Sequence, residues 1–403
     1  MSEQALTGLK VLEFGNGVPP CYCGKLLADL GAEVIKIEPP LVGDKTRHRA
    51  PFSGDTPGLE RSGLFAYLNT NKSSITLDCE SMAGKQLFKQ LVERCDILVE
   101  NFSPRFMHDH GLTYPELEPL NPNLVMVSIT PFGQTGPHRD YKATELTTYG
   151  ACGYGLASTV CYEEPVRPPV KAGGRQSEFG AGQAAAAAAM CAIYARDHLG
   201  AGQYIDLSIQ ELMTHQLESG IEHWTFDENE IGGVSTPIIH PIMPLECSDG
   251  WIFLMCVEDF QFDRLVEVMG NPEWTKEELF ADRFTRAEYV DVLRIYLTEW
   301  SIQHTKEEIF QMCQAARIPT GPDYSSKEVV ESEHLKERGY FVEIDHPEIG
   351  KAIYPGSPYQ LSETPWRIDR AAPRLGEHNQ KIYGDILGKK EQELKDLQRA
   401  GTI

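Results

Sequence analysis

A run of cationic side chains stands out in a chain that is otherwise strongly acidic. The segment Gly43-Asp44-Lys45-Thr46-Arg47-His48-Arg49 places two arginines, a lysine and a histidine close together. Arginine and lysine form charge-assisted hydrogen bonds and are the usual ligands of phosphate groups in proteins. The segment is therefore a candidate phosphate-binding loop, with a solvated surface loop as the alternative.

Two glycines near the N-terminus suggest a second kind of anion site. Gly15-Asn16-Gly17 lies between a predicted strand and a predicted helix, where dinucleotide-binding folds carry their glycine fingerprint. The third fingerprint glycine would lie three residues after Gly17, but Pro20 stands there. The second strand ends at Glu38, which Pro39-Pro40 follow directly. These departures disfavour a nicotinamide dinucleotide as the ligand.

The ten cysteines do not form a metal-binding pattern. Cys21 and Cys23 form a close pair, but no second Cys or His pair follows at the spacing of a zinc finger. Others, such as Cys191 and Cys256, lie within apolar segments at irregular spacings. We therefore predict buried free thiols and no metal site.

The charge of the chain disfavours several classes of partner. Its 403 residues include 59 acidic and 37 basic side chains, which gives a formal net charge of -22. Such a charge repels nucleic-acid phosphates and anionic membrane surfaces. The sequence has no run of about 18 or more apolar residues, and its first residues lack the features of a signal peptide. We therefore expect a cytoplasmic protein that binds neither nucleic acid nor membranes.

The N-terminal half of the chain alternates predicted strands and helices, and this alternation is typical of a parallel sheet covered by helices. The hydrophobic periodicity and the alanine-rich segment 184–189 define these elements. We predict strands at 10–14, 33–37, 96–100, 123–130 and 203–209, and helices at 21–30, 82–94 and 180–199.

The composition changes after this first region. Residues 227–241 are rich in Gly, Pro and Ser, and a strand and several amphipathic helices follow them. We therefore predict an α/β protein with a Rossmann-like large domain at 1–225 and a smaller α+β domain at 226–330. Residues 331–403 are predicted to form a C-terminal segment that returns to the large domain.

The order of short sequence blocks along the chain resembles that of the class III CoA transferases, also called the CaiB/BaiF family. Each block alone is weak, but eight blocks in the same order are specific, and the resemblance extends from Leu6 to the C-terminus. The matching blocks are Leu6–Glu13, Leu27–Glu38, Gly43-Asp44 with Arg47, Asn71–Asp78, Glu100-Asn101-Phe102, Pro131–Pro137, Gly202–Ser208 and Ala372–His378.

For this chain the resemblance implies a CoA transferase that moves CoA from an acyl-CoA thioester to a free carboxylic acid. Members of the family use a side-chain carboxylate, normally Asp, which passes through a mixed anhydride and an enzyme–CoA thioester. Backbone N–H groups near the site are expected to stabilise the oxyanions. CoA and acyl-CoA are substrates in this chemistry, and no cofactor is expected to be bound permanently.

The resemblance also implies an assembly of two interlocked chains, in which the C-terminal segment closes a ring and the partner passes through the opening. The partner is a second copy of this chain, which gives a homodimer, or a homologous subunit, which gives a heterodimer. In either case the interface is expected to be larger than that of ordinary protein complexes.

The site residues implied by the resemblance include one departure from the family. Glu178 stands where the family has its catalytic Asp, at the start of the alanine-rich helix, and we expect it to be the nucleophile. A second departure is Asp109, because many members have an arginine two residues before the following glycine. The residues expected to bind CoA are Val18, Arg47, Lys72, Leu77, Asp78, Cys79, Asn101, Phe102, Arg105 and Lys142.

These departures leave two alternatives to an active transferase. The chain is a candidate for the non-catalytic subunit of a two-subunit enzyme, as in relatives that activate benzylsuccinate. An acyl-CoA racemase of the same superfamily is the weaker alternative, because it needs a His and Asp pair for proton transfer. Residues 142–147, where that histidine would fall, contain none, and Glu178 occupies the place of the Asp.

Overall fold

The structure is a computed structural model that describes residues 3–158, 160–161, 168–217, 220–228, 233–234 and 239–403. The chain divides into two units. The first contains Met1–Ser158, Val170–Glu230 and Gly339–Ile403, and the second contains Thr159–Pro169 and Ile231–Arg338. The boundaries expected from the sequence were 225/226 and 330/331. Part of the predicted Gly-rich and Pro-rich connection, residues 229–232 and 235–238, lies outside the described residues.

The strands are numbered along the described chain. They are β1 (Lys10–Phe14), β2 (Glu33–Glu38), β3 (Ser73–Thr76), β4 (Ile97–Glu100), β5 (Val125–Thr130), β6 (Val160–Cys161), β7 (Gln203–Ser208), β8 (Gly233–Val234), β9 (Ile242–Cys247), β10 (Gly250–Met255), β11 (Thr320–Pro322), β12 (Phe341–His346) and β13 (Gly350–Pro355).

The α-helices are α1 (Val18–Ala28), α2 (Gly63–Leu68), α3 (Met82–Val92), α4 (Pro104–Asp109), α5 (Tyr114–Leu117), α6 (Glu145–Ala151), α7 (Tyr154–Ala157), α8 (Gln176–Leu199), α9 (Ile209–His215), α10 (Gly220–Glu222), α11 (Asp259–Val268), α12 (Arg283–Glu288), α13 (Val290–Ser301), α14 (Lys306–Ala315), α15 (Ser326–Glu331), α16 (Glu333–Glu337) and α17 (Glu391–Arg399). Short 3-10 helices occur at Lys45–His48, Ser53–Asp55, Glu273–Lys276 and Glu278–Phe280, and π-helical turns at His223–Asp227 and Gln380–Ile386.

A six-stranded parallel sheet forms the centre of the first unit. Its strand order is β3-β2-β1-β4-β5-β7, and every pair of neighbours is parallel. The strand order reverses between β1 and β4, as it does in doubly wound folds that bind ligands at this point. The predicted α/β architecture with a parallel sheet is therefore confirmed.

The two faces of this sheet bury separate apolar cores. Val11 faces the side that α1 and α8 cover, whereas Leu12 faces the side that α3 and the C-terminal helices cover. Successive side chains of a strand point to opposite faces, so one short strand contributes to both cores. Burial on both faces favours continuous apolar runs, as in Ile97–Val99 of β4, although β1 and β2 also bury the charged side chains of Glu13 and Lys36.

Residues near the C-terminus cover the outer edge of β3. The backbone N–H of His378 donates to the carbonyl of Ser74 at 2.9 Å, and the Tyr383 hydroxyl donates to the carbonyl of Thr76 at 2.8 Å. The Asn379 side chain accepts from the Thr76 N–H at 2.9 Å. An edge strand would otherwise present unpaired backbone groups to solvent. The C-terminal segment therefore satisfies backbone groups along the β3 edge of the sheet.

The second unit has its own core beneath a small antiparallel sheet, β11-β10-β9. Helices α11, α13 and α14 supply the apolar side chains that face it, including Leu265, Leu293 and Ile309. In the described part of the chain, no helix is long and apolar enough to cross a membrane.

The cysteines follow the prediction with one exception. Those whose side chains are described are free thiols, and all of them are buried except Cys191, which is exposed. The prediction of burial for Cys191 was wrong, because this residue lies on the side of α8 away from the buried stripe of Ala181, Ala185 and Ala189. An alanine-rich helix has small residues on every face, so its sequence does not reveal which face is buried.

Helices α1 and α8 approach each other closely, and Gly182 permits this contact. A Cβ atom at Gly182 would lie 2.7 Å from the carbonyl oxygen of Pro19 and 2.9 Å from Cβ of Tyr22. The partner is backbone and cannot rotate away, so any side chain at this position forces the helices apart. This contact fixes the N-terminal turn of α8 relative to the loop after β1.

We expect Gly182→Ala to lower the free energy of unfolding by about 1–3 kcal/mol because of this overlap. Gly180→Ala is the matched control, since a Cβ there meets only Leu212 Cδ2 at 3.8 Å. Alanine is the better helix former, so the control should be neutral or stabilising by up to about 1 kcal/mol. Chemical denaturation of both variants measures the difference, and equal effects would contradict the close-packing interpretation.

Candidate active site

A cavity of about 850 Å³ opens at the carboxyl ends of β1, β4 and β5, beside the N-terminus of α8. Asn16, Asn101 and Pro131 follow the ends of these strands and form part of its wall. Open parallel sheets bind ligands at this edge, where the strand order reverses. The charged residues of the lining are Lys45, Arg49, Glu145, Lys171, Arg175 and Glu178. We define this space as the first cavity.

Glu178 lies in the first turn of α8 and lines the first cavity. Its side chain is 21% exposed, and its Oε2 accepts a hydrogen bond from Arg175 Nη1 at 2.9 Å. The positive end of the helix dipole favours the ionised carboxylate at this position. Glu178 is therefore a charged, accessible carboxylate whose ion-pair partner sits three residues before it.

Glu145 is a second carboxylate of the first cavity, and sequence reasoning missed it. Its oxygens accept from the backbone N–H of Ser177 at 3.2 Å and from that of Glu178 at 3.0 Å, and also from the Ser177 hydroxyl. Lys171 Nζ lies 3.4 Å from Glu145 Oε1. Glu145 thus caps α8 from a distant part of the chain, and the segment before α8 offers no side-chain cap that would reveal it.

Val18 and Asn101, two of the predicted CoA-binding residues, line the same cavity as Glu178. Asn101 Nδ2 donates to the Asn16 carbonyl at 2.7 Å, and its Oδ1 accepts from the Asn16 N–H at 2.9 Å. A Cβ at Gly15 would lie 2.7 Å from Asn101 Oδ1, so the loop after β1 needs a glycine there. The Asn101 side chain therefore holds this loop at the cavity wall.

Arg47 and Lys72 are buried in ion pairs and do not line the first cavity. Lys72 Nζ donates to Glu13 Oε2 and the Cys21 carbonyl, both at 2.7 Å, and to Asn69 Oδ1 at 2.9 Å. Arg47 Nε donates to Glu38 at 2.7 Å, and its side chain is fully buried. These donors are used inside the protein, which supports a structural role for both residues, and their predicted phosphate contacts stay predictions.

Leu77, Asp78, Cys79 and Phe102 line a second cavity, of about 370 Å³. The ring of Phe102 lies between those of Phe14 and Phe106, with centroids 4.5 Å from each. Asn16 also lines this second cavity, so both cavities meet at the loop after β1. An aromatic wall of this kind suits a flat ring such as the adenine base of CoA, which these residues are expected to bind.

Arg105 and Lys142 line neither cavity. The side chain of Arg105 is 82% exposed, and its Nε lies 3.5 Å from Asp109 Oδ2. Lys142 is exposed and directly precedes Ala143 and Thr144, which do line the first cavity. The proposed CoA contacts of these two residues remain predictions.

Only some of the cationic residues that line the first cavity could be singled out from the sequence. Lys45 and Arg49 belong to the cationic run, but the residue singled out from that run, Arg47, is the buried one. Lys171 and Arg175 were not singled out. Charge alone does not distinguish an arginine that pairs internally from one that faces a cavity, because that depends on tertiary partners.

The chain matches CoA-transferase family III over residues 6–379. It is 33% identical over 403 residues to the succinyl-CoA--D-citramalate CoA-transferase of Chloroflexus aurantiacus, covering 99% of this chain and 98% of that protein. It is 31% identical to the succinyl-CoA--L-malate CoA-transferase alpha subunit of Chloroflexus aurantiacus, covering 99% and 92%. A CAIB/BAIF family protein from Brucella suis has the same fold, with a TM-score of 0.85, 30% identity and coverage of 95% and 100%.

The chain therefore belongs to CoA-transferase family III, the family that its sequence blocks indicated. It is an enzyme of the CoA transferase class.

Glu100 precedes Asn101 and is fully buried. Burial raises the pKa of its carboxyl to about 7, and the hydrogen bond from the Phe102 N–H, at 2.7 Å, offsets this only in part. The raised pKa means that the folded state binds the proton more tightly than the unfolded state does. The contribution of Glu100 to the free energy of unfolding is therefore fully present below pH 4.5, the ordinary pKa of the group. This contribution is lost as the pH rises toward 7.

We expect Glu100→Gln to remove this loss, because the amide carries no charge at any of these pH values. The variant should match the parent protein near pH 4 and exceed its free energy of unfolding by about 3 kcal/mol at pH 8. Denaturation at both pH values measures this, with the exposed Glu118→Gln as a control for net charge. The prediction would be contradicted if the free energies of unfolding of variant and parent differed by the same amount at both pH values.

Proposed function

We propose that this chain exchanges CoA between an acyl-CoA thioester and a free carboxylic acid, with Glu178 as the nucleophile. The placement of Glu178 carries this proposal, because it puts a carboxylate at a helix N-terminus on the wall of a large cavity. Glu145, the other carboxylate of the cavity, is occupied by two backbone N–H groups and a hydroxyl. Glu178 is therefore the better candidate to attack a substrate.

The exchange proceeds through two acyl forms of the enzyme. An oxygen of Glu178 attacks the thioester carbonyl, the C–S bond breaks, and CoA leaves as a thiolate, which gives a mixed anhydride. The thiolate attacks the Glu178 carbonyl carbon, releases the donor acid as a carboxylate and leaves a Glu178–CoA thioester. The acceptor carboxylate repeats both steps in reverse, so no ATP is needed.

Arg175 is placed to assist these steps. Its guanidinium neutralises Glu178 in the free enzyme and loses that partner when Glu178 is acylated. It is then available for the oxyanion that forms at the adjacent carbonyl carbon. The N–H groups of Ser177 and Glu178 donate to Glu145, so the expected backbone stabilisation of the oxyanion has no support at these two positions.

The longer side chain of Glu178 bears on the alternative of a non-catalytic subunit. Glutamate has the same chemistry as aspartate, but a displacement on the order of 1 Å can cost roughly a hundredfold in rate. The relative named as an alpha subunit supports assembly of this chain with a second subunit. In the second candidate function, a homologous chain in that assembly carries the nucleophile. A racemase has less support, because no histidine lines the first cavity in the described part of the chain.

The remaining parts of the proposal concern assembly and location. We propose an interlocked dimer, as a homodimer or a heterodimer with a homologous subunit, and a cytoplasmic enzyme without a permanently bound cofactor. Acyl-CoA and a free carboxylic acid are the proposed substrates. The resemblance to family members supports these assignments.

Transfer of CoA by the purified chain tests the proposal. We expect activity with an acyl-CoA and a second acid, no activity in Glu178→Gln, and activity within about a hundredfold of the parent in Glu178→Asp. An amide forms neither an anhydride nor a thioester by this route, so full activity in Glu178→Gln would exclude this nucleophile. If the chain is inactive until its homologous partner is added, and Glu178→Gln is silent in that complex, the subunit alternative is correct.

We also predict weak recognition of the 3′-phosphate of CoA. The acidic residues that line the second cavity are Glu38, Asp78 and Glu80, and none of its lining residues in the described chain is Lys or Arg. Replacing CoA by 3′-dephospho-CoA in the acyl donor should change kcat/KM by less than about threefold. Glu80→Lys should create a preference for CoA. A loss of tenfold or more in the parent enzyme would show that another cation holds this phosphate.

A further inference from the structure

The first cavity has more cations than its own carboxylates can neutralise. Glu145 has Lys171 as its ion-pair partner, and Glu178 has Arg175. Lys45 and Arg49 also line the cavity, and within the described residues neither has a hydrogen-bonding or carboxylate partner for its side chain. The cavity thus keeps an excess of positive charge in a chain whose formal net charge is -22. This excess of positive charge attracts anionic ligands to the cavity.

The backbone that carries these two cations is held rigidly. Asp44 caps the 3-10 helix Lys45–His48, with the Thr46 N–H donating to Asp44 Oδ1 at 2.7 Å. The Arg49 N–H donates to the Thr46 carbonyl at 3.2 Å, and the buried Ser62 hydroxyl donates to the Arg49 carbonyl at 2.6 Å. The Arg49 side chain is exposed on this fixed backbone. The position of its backbone is therefore set before any ligand binds, so that binding has to order only the side chain.

We infer that Arg49 binds a second carboxylate of the acyl group, so that the enzyme prefers dicarboxylic acyl chains with one free carboxylate. This rests on the proposed function, because the thioester carbon must reach Glu178 in the cavity that Arg49 also lines. The acyl chain extends from that carbon within the cavity, whereas the nucleotide lies at the other end of the pantetheine arm. Arginine presents paired N–H donors that match a carboxylate in a bidentate geometry.

A monocarboxylic acyl group gives Arg49 no partner. Desolvation of an unpaired guanidinium by such a chain is unfavourable, whereas a carboxylate offsets that cost. The inferred preference therefore has two causes: Arg49 attracts the distal carboxylate, and its desolvation disfavours a chain without one. Both causes depend on the charge of the Arg49 side chain.

Binding of two uncleavable analogues tests the inference. S-(3-carboxypropyl)-CoA and S-butyl-CoA have the same chain length and differ at the distal carboxylate, and neither thioether can acylate Glu178. We expect the parent protein to bind the carboxylated analogue about tenfold more tightly or better, as measured by calorimetry at fixed salt. Arg49→Gln should remove this preference and leave the affinity for S-butyl-CoA within about twofold. Lys45→Gln, the control in the same cavity, should keep the preference.

Three results would overturn the inference: no preference in the parent protein, an equal loss of both analogues in Arg49→Gln, or no binding of either analogue. An equal loss would assign Arg49 to the phosphates of CoA. Failure of the proposed function gives a different result. A protein that shows the Arg49-dependent preference but transfers no CoA would keep the binding site and lose the catalytic role of Glu178.

Discussion

The buried ammonium group of Lys36 connects the central sheet to the loops that form the first cavity. Lys36 Nζ lies 2.7 Å from Glu13 on β1 and 2.9 Å from Asp44, and all three side chains are fully buried. Burial opposes the charge on each group. The attraction between the opposite charges outweighs this effect of burial. As a result, the pKa of Lys36 is raised and the pKa values of Glu13 and Asp44 are lowered. Removing one partner of such a buried pair typically costs about 3–5 kcal/mol.

Asp44 transmits this constraint to the site. Its carboxylate also accepts from the Gly17 N–H, at 3.3 Å, and from the Thr46 N–H, at 2.7 Å. These bonds fix the loop after β1 and the turn that carries Arg49. Lys72 bonds the other oxygen of Glu13, and a Cβ at Gly24 would lie only 2.1 Å from that oxygen. The charged side chains of Lys36, Asp44 and Lys72 therefore form buried ion pairs that hold α1 and the neighbouring loops in place.

The N-terminus of α8 is held by a different set of contacts. Gly182 lets the helix approach α1, and Glu145 accepts two of the N–H groups that the helix leaves unpaired. The two charged side chains left at the turn, Arg175 and Glu178, pair with each other. The carboxylate of the proposed nucleophile therefore sits on a well-packed helix terminus, and precise attack geometry would require such support.

Five of the six strands of the parallel sheet, all except β3, could be predicted from the sequence, because their apolar residues alternate along the chain with predicted helices. It was less informative at other places. Helix α1 begins at Val18 and not at Cys21, since Pro19 and Pro20 fit the first turn of a helix. Strand β3, with the sequence Ser-Ser-Ile-Thr, was not predicted because polar residues replace the apolar pattern.

Some residues of the candidate site could be singled out from the sequence, and others could not. Glu178, Val18 and Asn101 line one cavity, and their catalytic and CoA-binding roles stay predictions. Glu145, Lys171 and Arg175 were missed because their roles depend on partners far away in the sequence or on local pairing that residue type does not reveal. Arg47 and Lys72 show a further limit of the sequence, since buried ion pairs and phosphate ligands use the same residue types.

Identification of the residue that carries CoA during turnover tests the role of Glu178 most directly. The protein is incubated with an acyl-CoA without acceptor acid, quenched in acid, digested, and analysed by peptide mass spectrometry. A CoA thioester on Glu178, and on no other carboxylate, is the expected result. A thioester on Glu145 or another residue, or an enzyme that transfers CoA without a detectable adduct, would contradict the assignment of Glu178 as the nucleophile.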